Sequence, residues 1–159
     1  MRPSARHHRV LVPLALLAAI AAPASAQGRP RNGPDCGLLG GLRFGSAQRQ
    51  AAYTGLWCVT KSAAGERSGP SLELEYGRSG GQIALGATST GASATVGRLQ
   101  AVLLRTWGRA TDIAPGQTFV GVEAQVSELL GVSAGAYRRV RGSAAGDTGF
   151  LGVRFVLGF

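Results

Sequence analysis

The sequence predicts an all-β fold, an antiparallel up-and-down transmembrane β-barrel of about eight strands. Three observations point there. Apolar residues recur with a period of two in short runs, the spacing that sends alternate side chains to opposite faces of a strand. Gly supplies 25 of the 159 residues, and each interior Gly costs a helix about 1 kcal/mol, which disfavours a helix-rich chain. The polar faces of the runs are small or carry Glu and Arg, and Lys61 is the single lysine. A water-facing surface ordinarily carries more lysine than that.

The N-terminus reads as a targeting segment. Arg2, Arg6 and Arg9 precede an apolar stretch, Val10 to Ala22, and Ala24-Ser25-Ala26 has the small-x-small pattern of a cleavage site. A signal peptide over residues 1–26 is expected. The stretch falls short of the roughly 20 residues of a membrane-spanning helix. Cleavage after Ala26 removes three arginines and no acid, taking the formal charge from +9 to +6, and it removes both histidines, His7 and His8. Residues 27–34, with two Pro and two Gly, read as a flexible lead-in. Residues 35–159 are the expected barrel domain.

The first two expected strands, Cys36–Phe44 and Tyr53–Lys61, make a hairpin centred near Ala47. That register sets Cys36 opposite Cys58. An even pair of cysteines in an oxidising compartment reads as a disulfide, with two unrelated buried thiols as the alternative. In the third, Ser71–Arg78, Leu72, Leu74 and Tyr76 share one face while Glu73, Glu75 and Gly77 share the other. Ser79-Gly80-Gly81 reads as the turn into the fourth, Gln82–Thr88, where Ile83, Leu85 and Ala87 oppose Gln82, Ala84, Gly86 and Thr88. The fifth, Ala94–Trp107, breaks parity, because Arg98 and Arg105 fall on opposite faces; a β-bulge is expected there. Turn chemistry at Asp112 to Gly116 leads to the sixth, Gln117–Ser127, which separates Val120, Val122, Ala124 and Val126 from Gly121, Glu123, Gln125 and Ser127. The seventh is Val132–Arg141. The eighth, Leu151–Phe159, puts Leu151, Val153, Phe155, Leu157 and Phe159 on one face and Gly152, Arg154, Val156 and Gly158 on the other.

The period does not say which face is inside. A membrane barrel turns its apolar face to lipid and fills its lumen with polar and small residues. On that reading Glu73, Glu75, Glu123, Arg139 and Arg154 form a lumenal charge network, since arginine's planar fork suits buried carboxylates. Arg141 joins the same face if Val132, Ala134 and Ala136 face lipid. Phe44, Tyr53, Tyr76, Trp107, Phe119 and Phe159 near strand ends read as interfacial girdles, or else as scattered core aromatics. The opposite orientation gives a soluble periplasmic or secreted barrel that binds a small apolar ligand. It expects Leu72, Leu74, Val120, Val122 and Phe155 inside, with Glu73, Glu123 and Arg154 in water.

The eighth run, alternating and ending in an aromatic, resembles the C-terminal signal of bacterial outer-membrane β-barrels. With the eight-run alternation, the likeness extends over Cys36–Phe159 to the small eight-stranded members. The resemblance implies an outer-membrane location and contact with outer-membrane lipid. It also implies assembly by the barrel-assembly machinery through Phe155, Leu157 and Phe159, and a packed lumen in place of an open porin. The connections here are shorter than many in that family. Lipid-modifying enzymes among small barrels rely on His and Ser, and residues 27–159 contain no His.

The remaining chemistry is sparse. Without His there is no Ser-His-Asp triad, and two Cys alone do not make a usual four-ligand zinc site. There is no phosphate-binding Gly loop between strand and helix, and no cofactor is expected. Glu73 and Glu75 allow a catalytic carboxylate pair as well as a salt-bridge role. An exported chain whose one basic cluster is Arg138-Arg139-Val140-Arg141 is not expected to bind nucleic acid, and that cluster reads as a solvated strand end or a contact for lipid headgroups. The expectation is a structural or surface-interaction protein and not an enzyme, of open oligomeric state.

Overall fold

The computed structural model describes residues 33–45, 49–61, 66–90, 95–108, 113–142 and 148–158. The expected signal segment and most of the lead-in lie outside the described residues, as does Phe159. The fold is a closed antiparallel barrel of eight strands, each hydrogen-bonded to its sequence neighbours and β8 closing on β1. The strands are β1 (Asp35–Gly45), β2 (Arg49–Lys61), β3 (Arg67–Gly77), β4 (Gly80–Thr90), β5 (Val96–Thr106), β6 (Thr118–Ser127), β7 (Leu130–Arg141) and β8 (Gly149–Gly158).

The strand ladders are tilted around the barrel. The register leads from Gly45 through Arg154, Ser133, Gln125, Arg98 and Thr88 to Gly69. Gly69 lies against Val59, and Val59 pairs with Asp35, at the other end of the same β1. A circuit that climbs a whole strand is the stagger a closed barrel needs, with strands inclined at about 35–45°. The start of β1 and the end of β8 lie at one end of the barrel. The ends of β1, β3, β5 and β7 lie at the other, here called the upper end.

Three local details differ from expectation. The β3–β4 turn is Arg78-Ser79, and Gly80 and Gly81 already belong to β4. β5 keeps an unbroken register with β4 and β6, so it has no bulge; Arg98 points inward and Arg105 is an exposed rim residue that donates to Thr118 Oγ1 (2.7 Å). The register shift lies instead between β6 and β7, at Thr118/Phe119. Finally, β3 starts before Ser71 and includes Pro70, at the point where the β2–β3 ladder is interrupted. Proline has no N–H to donate there.

Cys36 and Cys58 are bonded, directly opposite each other at the lower end of the β1–β2 hairpin and on its outward face. Inside, apolar side chains form two clusters. One is Ala84, Val102, Leu104, Phe119 and Tyr137, with Ile113 and Phe150 packed on it; the other is Leu39, Tyr53 and Val156 with Trp57. Tyr53 and Phe119 are thus core residues and not girdle members. Phe44, Tyr76 and Trp107 do point outward near the upper end, and the rings of Tyr76 and Trp107 lie 5.0 Å apart.

Gly135 shows why small residues recur on the inward face. A Cβ there would come within 2.9 Å of the Tyr137 ring, which folds back over Gly135 toward Glu123 on the neighbouring strand. Gly135→Val is expected to push the ring away and cost about 1–3 kcal/mol, the usual range for overpacking. A urea titration of the barrel monitored by Trp fluorescence checks this; an unchanged midpoint would show that the ring has room to move.

Candidate functional site

The inward faces converge on a buried network of charge. β3 supplies Glu73 and Glu75, two residues apart and therefore on one face. Arg43 from β1 reaches both. Its Nη1 donates to Glu73 and, at 2.6 Å, to Glu75, and its Nη2 donates to Glu73 (2.9 Å) and to Gln125. Arg154 from β8 donates Nη1 to both Glu75 oxygens (2.6 and 2.8 Å) and Nη2 to Glu123. Glu123 also accepts from the Tyr137 hydroxyl (2.8 Å) and Gln82 Nε2 (3.3 Å). Arg98 of β5 stands 3.5 Å from Glu73. Its role there is electrostatic, since the separation is at the limit of a hydrogen bond.

The contacts run in alternating sign: Arg98, Glu73, Arg43, Glu75, Arg154, Glu123. Tyr53 of β2 completes the ring of contributors, its face 4.5 Å from the Arg43 guanidinium carbon, a cation–π contact. Every strand therefore supplies at least one member. Arg43 and Arg154 join strands that are not neighbours in the sheet, so the network ties the barrel wall across its lumen. Its three guanidiniums balance its three carboxylates, and all six side chains are almost wholly buried. Buried charge is tolerated in proteins when it is paired and hydrogen-bonded in this way.

Of the five residues expected in the network, the structure brings together Glu73, Glu75, Glu123 and Arg154. Arg139 is placed near the upper end of β7, half-buried opposite Phe119 beside the register shift, and its amide donates to the Thr148 carbonyl (2.7 Å). Arg141 is exposed at the end of the same strand. Arg43 and Arg98 were not anticipated. The parity of Leu38, Leu42 and Phe44 carries the signal for Arg43, since a residue between outward neighbours must point in. As a catalytic pair, Glu73 and Glu75 are poorly placed. A general base must reach a substrate proton, and these oxygens are buried and already accept from guanidiniums.

No family model, curated protein or solved structure matches this chain. The geometry therefore carries the functional argument by itself.

The outer wall is the second half of that geometry. Leu72, Leu74, Ile83, Leu85, Val120 and Val122 point outward, as do Leu151 (83% exposed), Val153, Phe155 (67%) and Leu157. The apolar-inside arrangement assigned Leu72, Leu74, Val120, Val122 and Phe155 to the interior and Glu73, Glu123 and Arg154 to water. Each of these side chains points the other way.

Proposed function

We propose that this chain is an outer-membrane β-barrel protein of bacteria, exported by its N-terminal segment and inserted by the barrel-assembly machinery. Its role is structural or one of surface interaction, and its lumen is packed and not an open pore. The observation that carries this reading is the inverted distribution of polarity, with the charge inside and a near-continuous wall of Leu, Val, Ile and Phe outside. Soluble monomers rarely expose contiguous apolar patches beyond a few hundred Å². Dimensions agree. An eleven-residue strand such as β3, rising about 3.3 Å per residue and tilted by about 40°, spans about 28 Å. Membrane barrels carry an apolar band about 25 Å tall. Eight strands enclose a space that side chains fill, and here they do.

The test is fractionation followed by gel electrophoresis with and without heating. The protein is expected in the membrane fraction, and unheated samples should migrate differently from heated ones because the folded barrel resists the detergent. Recovery from the soluble fraction with a single mobility would overturn the reading.

A further inference from the structure

The two ends of the barrel differ in charge. At the upper end the described residues include Arg49, Arg78, Arg105, Arg138, Arg139 and Arg141 and no acid. At the lower end Asp35, Glu66 and Glu128 accompany Lys61 and Arg67, and Arg67 pairs with Asp35 at 3.2 Å. Among the described residues, positive charge thus gathers at one rim.

Within that rim lies a cleft of about 600 Å³ lined by Phe44, Arg49, Gln50, Arg78 and Ser79. It is bounded by the end of β1, the start of β2 and the β3–β4 turn, and the Arg78 amide donates to the Gln50 carbonyl (3.3 Å). Among the described residues its lining has two guanidiniums, an amide and a hydroxyl, and no carboxylate. Phe44, at its edge, belongs to the apolar outer wall, and the Tyr76–Trp107 pair stands near the same end. Aromatic side chains at such a boundary mark the level of lipid headgroups in membrane barrels.

We propose that this cleft binds the phosphate monoester headgroup of an anionic lipid in the leaflet at the upper end, the lipid's chains lying against the outer wall below Phe44. This rests on the membrane reading above. The charges match: a phosphate monoester carries about −1.5 to −2 at pH 7, and the cleft presents two cations. Guanidinium forks fit phosphate oxygens in pairs. The remaining rim arginines add a field of the same sign around the cleft.

The test titrates the folded protein in neutral detergent with short-chain phosphatidic acid. Short-chain phosphatidylcholine and inorganic phosphate serve as the other arms, and calorimetry is the readout. Phosphatidic acid should bind more tightly than either. The pair Arg49→Gln/Arg78→Gln should weaken it about tenfold or more, while Lys61→Gln/Arg67→Gln, which removes the same charge from the lower end, should leave it unchanged. Arg49→Gly relieves the left-handed backbone at that residue (φ 58°). It should fold at least as well as the native chain and still bind more weakly, which separates loss of the site from loss of the fold. Equal weakening by both pairs, or by neither, would overturn the proposal, as would inorganic phosphate binding as tightly as the lipid. Failure of the membrane reading is recognised separately, by a protein that stays soluble without detergent and shows one gel mobility.

Discussion

Arg154→Ala is expected to destabilise the barrel by about 3–5 kcal/mol, the cost of removing one partner from a buried ion pair. The guanidinium is the bridge between Glu75 and Glu123. Without it Glu75 keeps Arg43, but the hydrogen bonds left to Glu123 come from neutral donors, among them Tyr137 and Gln82. The lumen is then left with one uncompensated negative charge, and the wall loses its tie between β8 and both β3 and β6. The same physics predicts a rescue. Glu123→Gln in the Arg154→Ala background restores neutrality where the deficit is worst and should recover a large part of the loss. Urea unfolding followed by Trp fluorescence compares the two variants with the native chain. A loss under about 1 kcal/mol for Arg154→Ala, within the range of exposed pairs, would mean that water reaches the network and the lumen is not packed.

Much of this network was legible in the sequence, and what was missed has a physical cause. Glu73, Glu75, Glu123 and Arg154 stand in strands with an unbroken run of apolar residues at every second position, so parity groups them on the face opposite that run. Arg43 lies in β1, where Gly37, Gly40 and Gly41 thin out the apolar signal. Arg98 was obscured by Arg105 on the same strand. The two point to opposite faces of an unbroken strand, with Arg105 exposed at the rim, and a bulge is not needed to explain that. The aromatics divide for a similar reason. Tyr53 and Phe119 are close to strand ends in sequence, but a tilted strand places its ends at different heights, and parity turns both rings inward. Closure of β8 on β1 belongs to the eight-stranded barrel that the alternation predicts. The tilt that converts closure into a stagger of one full strand length lies in the pairing between strands, which no single run of residues displays.

Leu85→Arg is expected to cost about 2–4 kcal/mol when the protein folds into lipid vesicles, the range for a cation on the lipid face near the bilayer midplane. Leu85 sits mid-strand in β4, points outward at 62% exposure, and pairs with Leu72 on one side and Ala101 on the other. No charged residue stands beside it across either ladder, so the guanidinium would meet hydrocarbon. Ser89 occupies the same face of the same strand nearer the lower end, and Ser89→Arg should cost only about 0–1 kcal/mol there. The comparison removes strand propensity and net charge from the question, because both variants add one arginine to one face of one strand. Depth is what differs. If water covered this wall, an exposed Leu85 would tolerate the change within about 0.5 kcal/mol, as surface positions ordinarily do. The two variants would then unfold alike in urea. A cost that rises from Ser89 to Leu85 ties the outward leucines to a solvent that excludes charge, and the paired charges of the lumen to an interior that must be neutral as a whole.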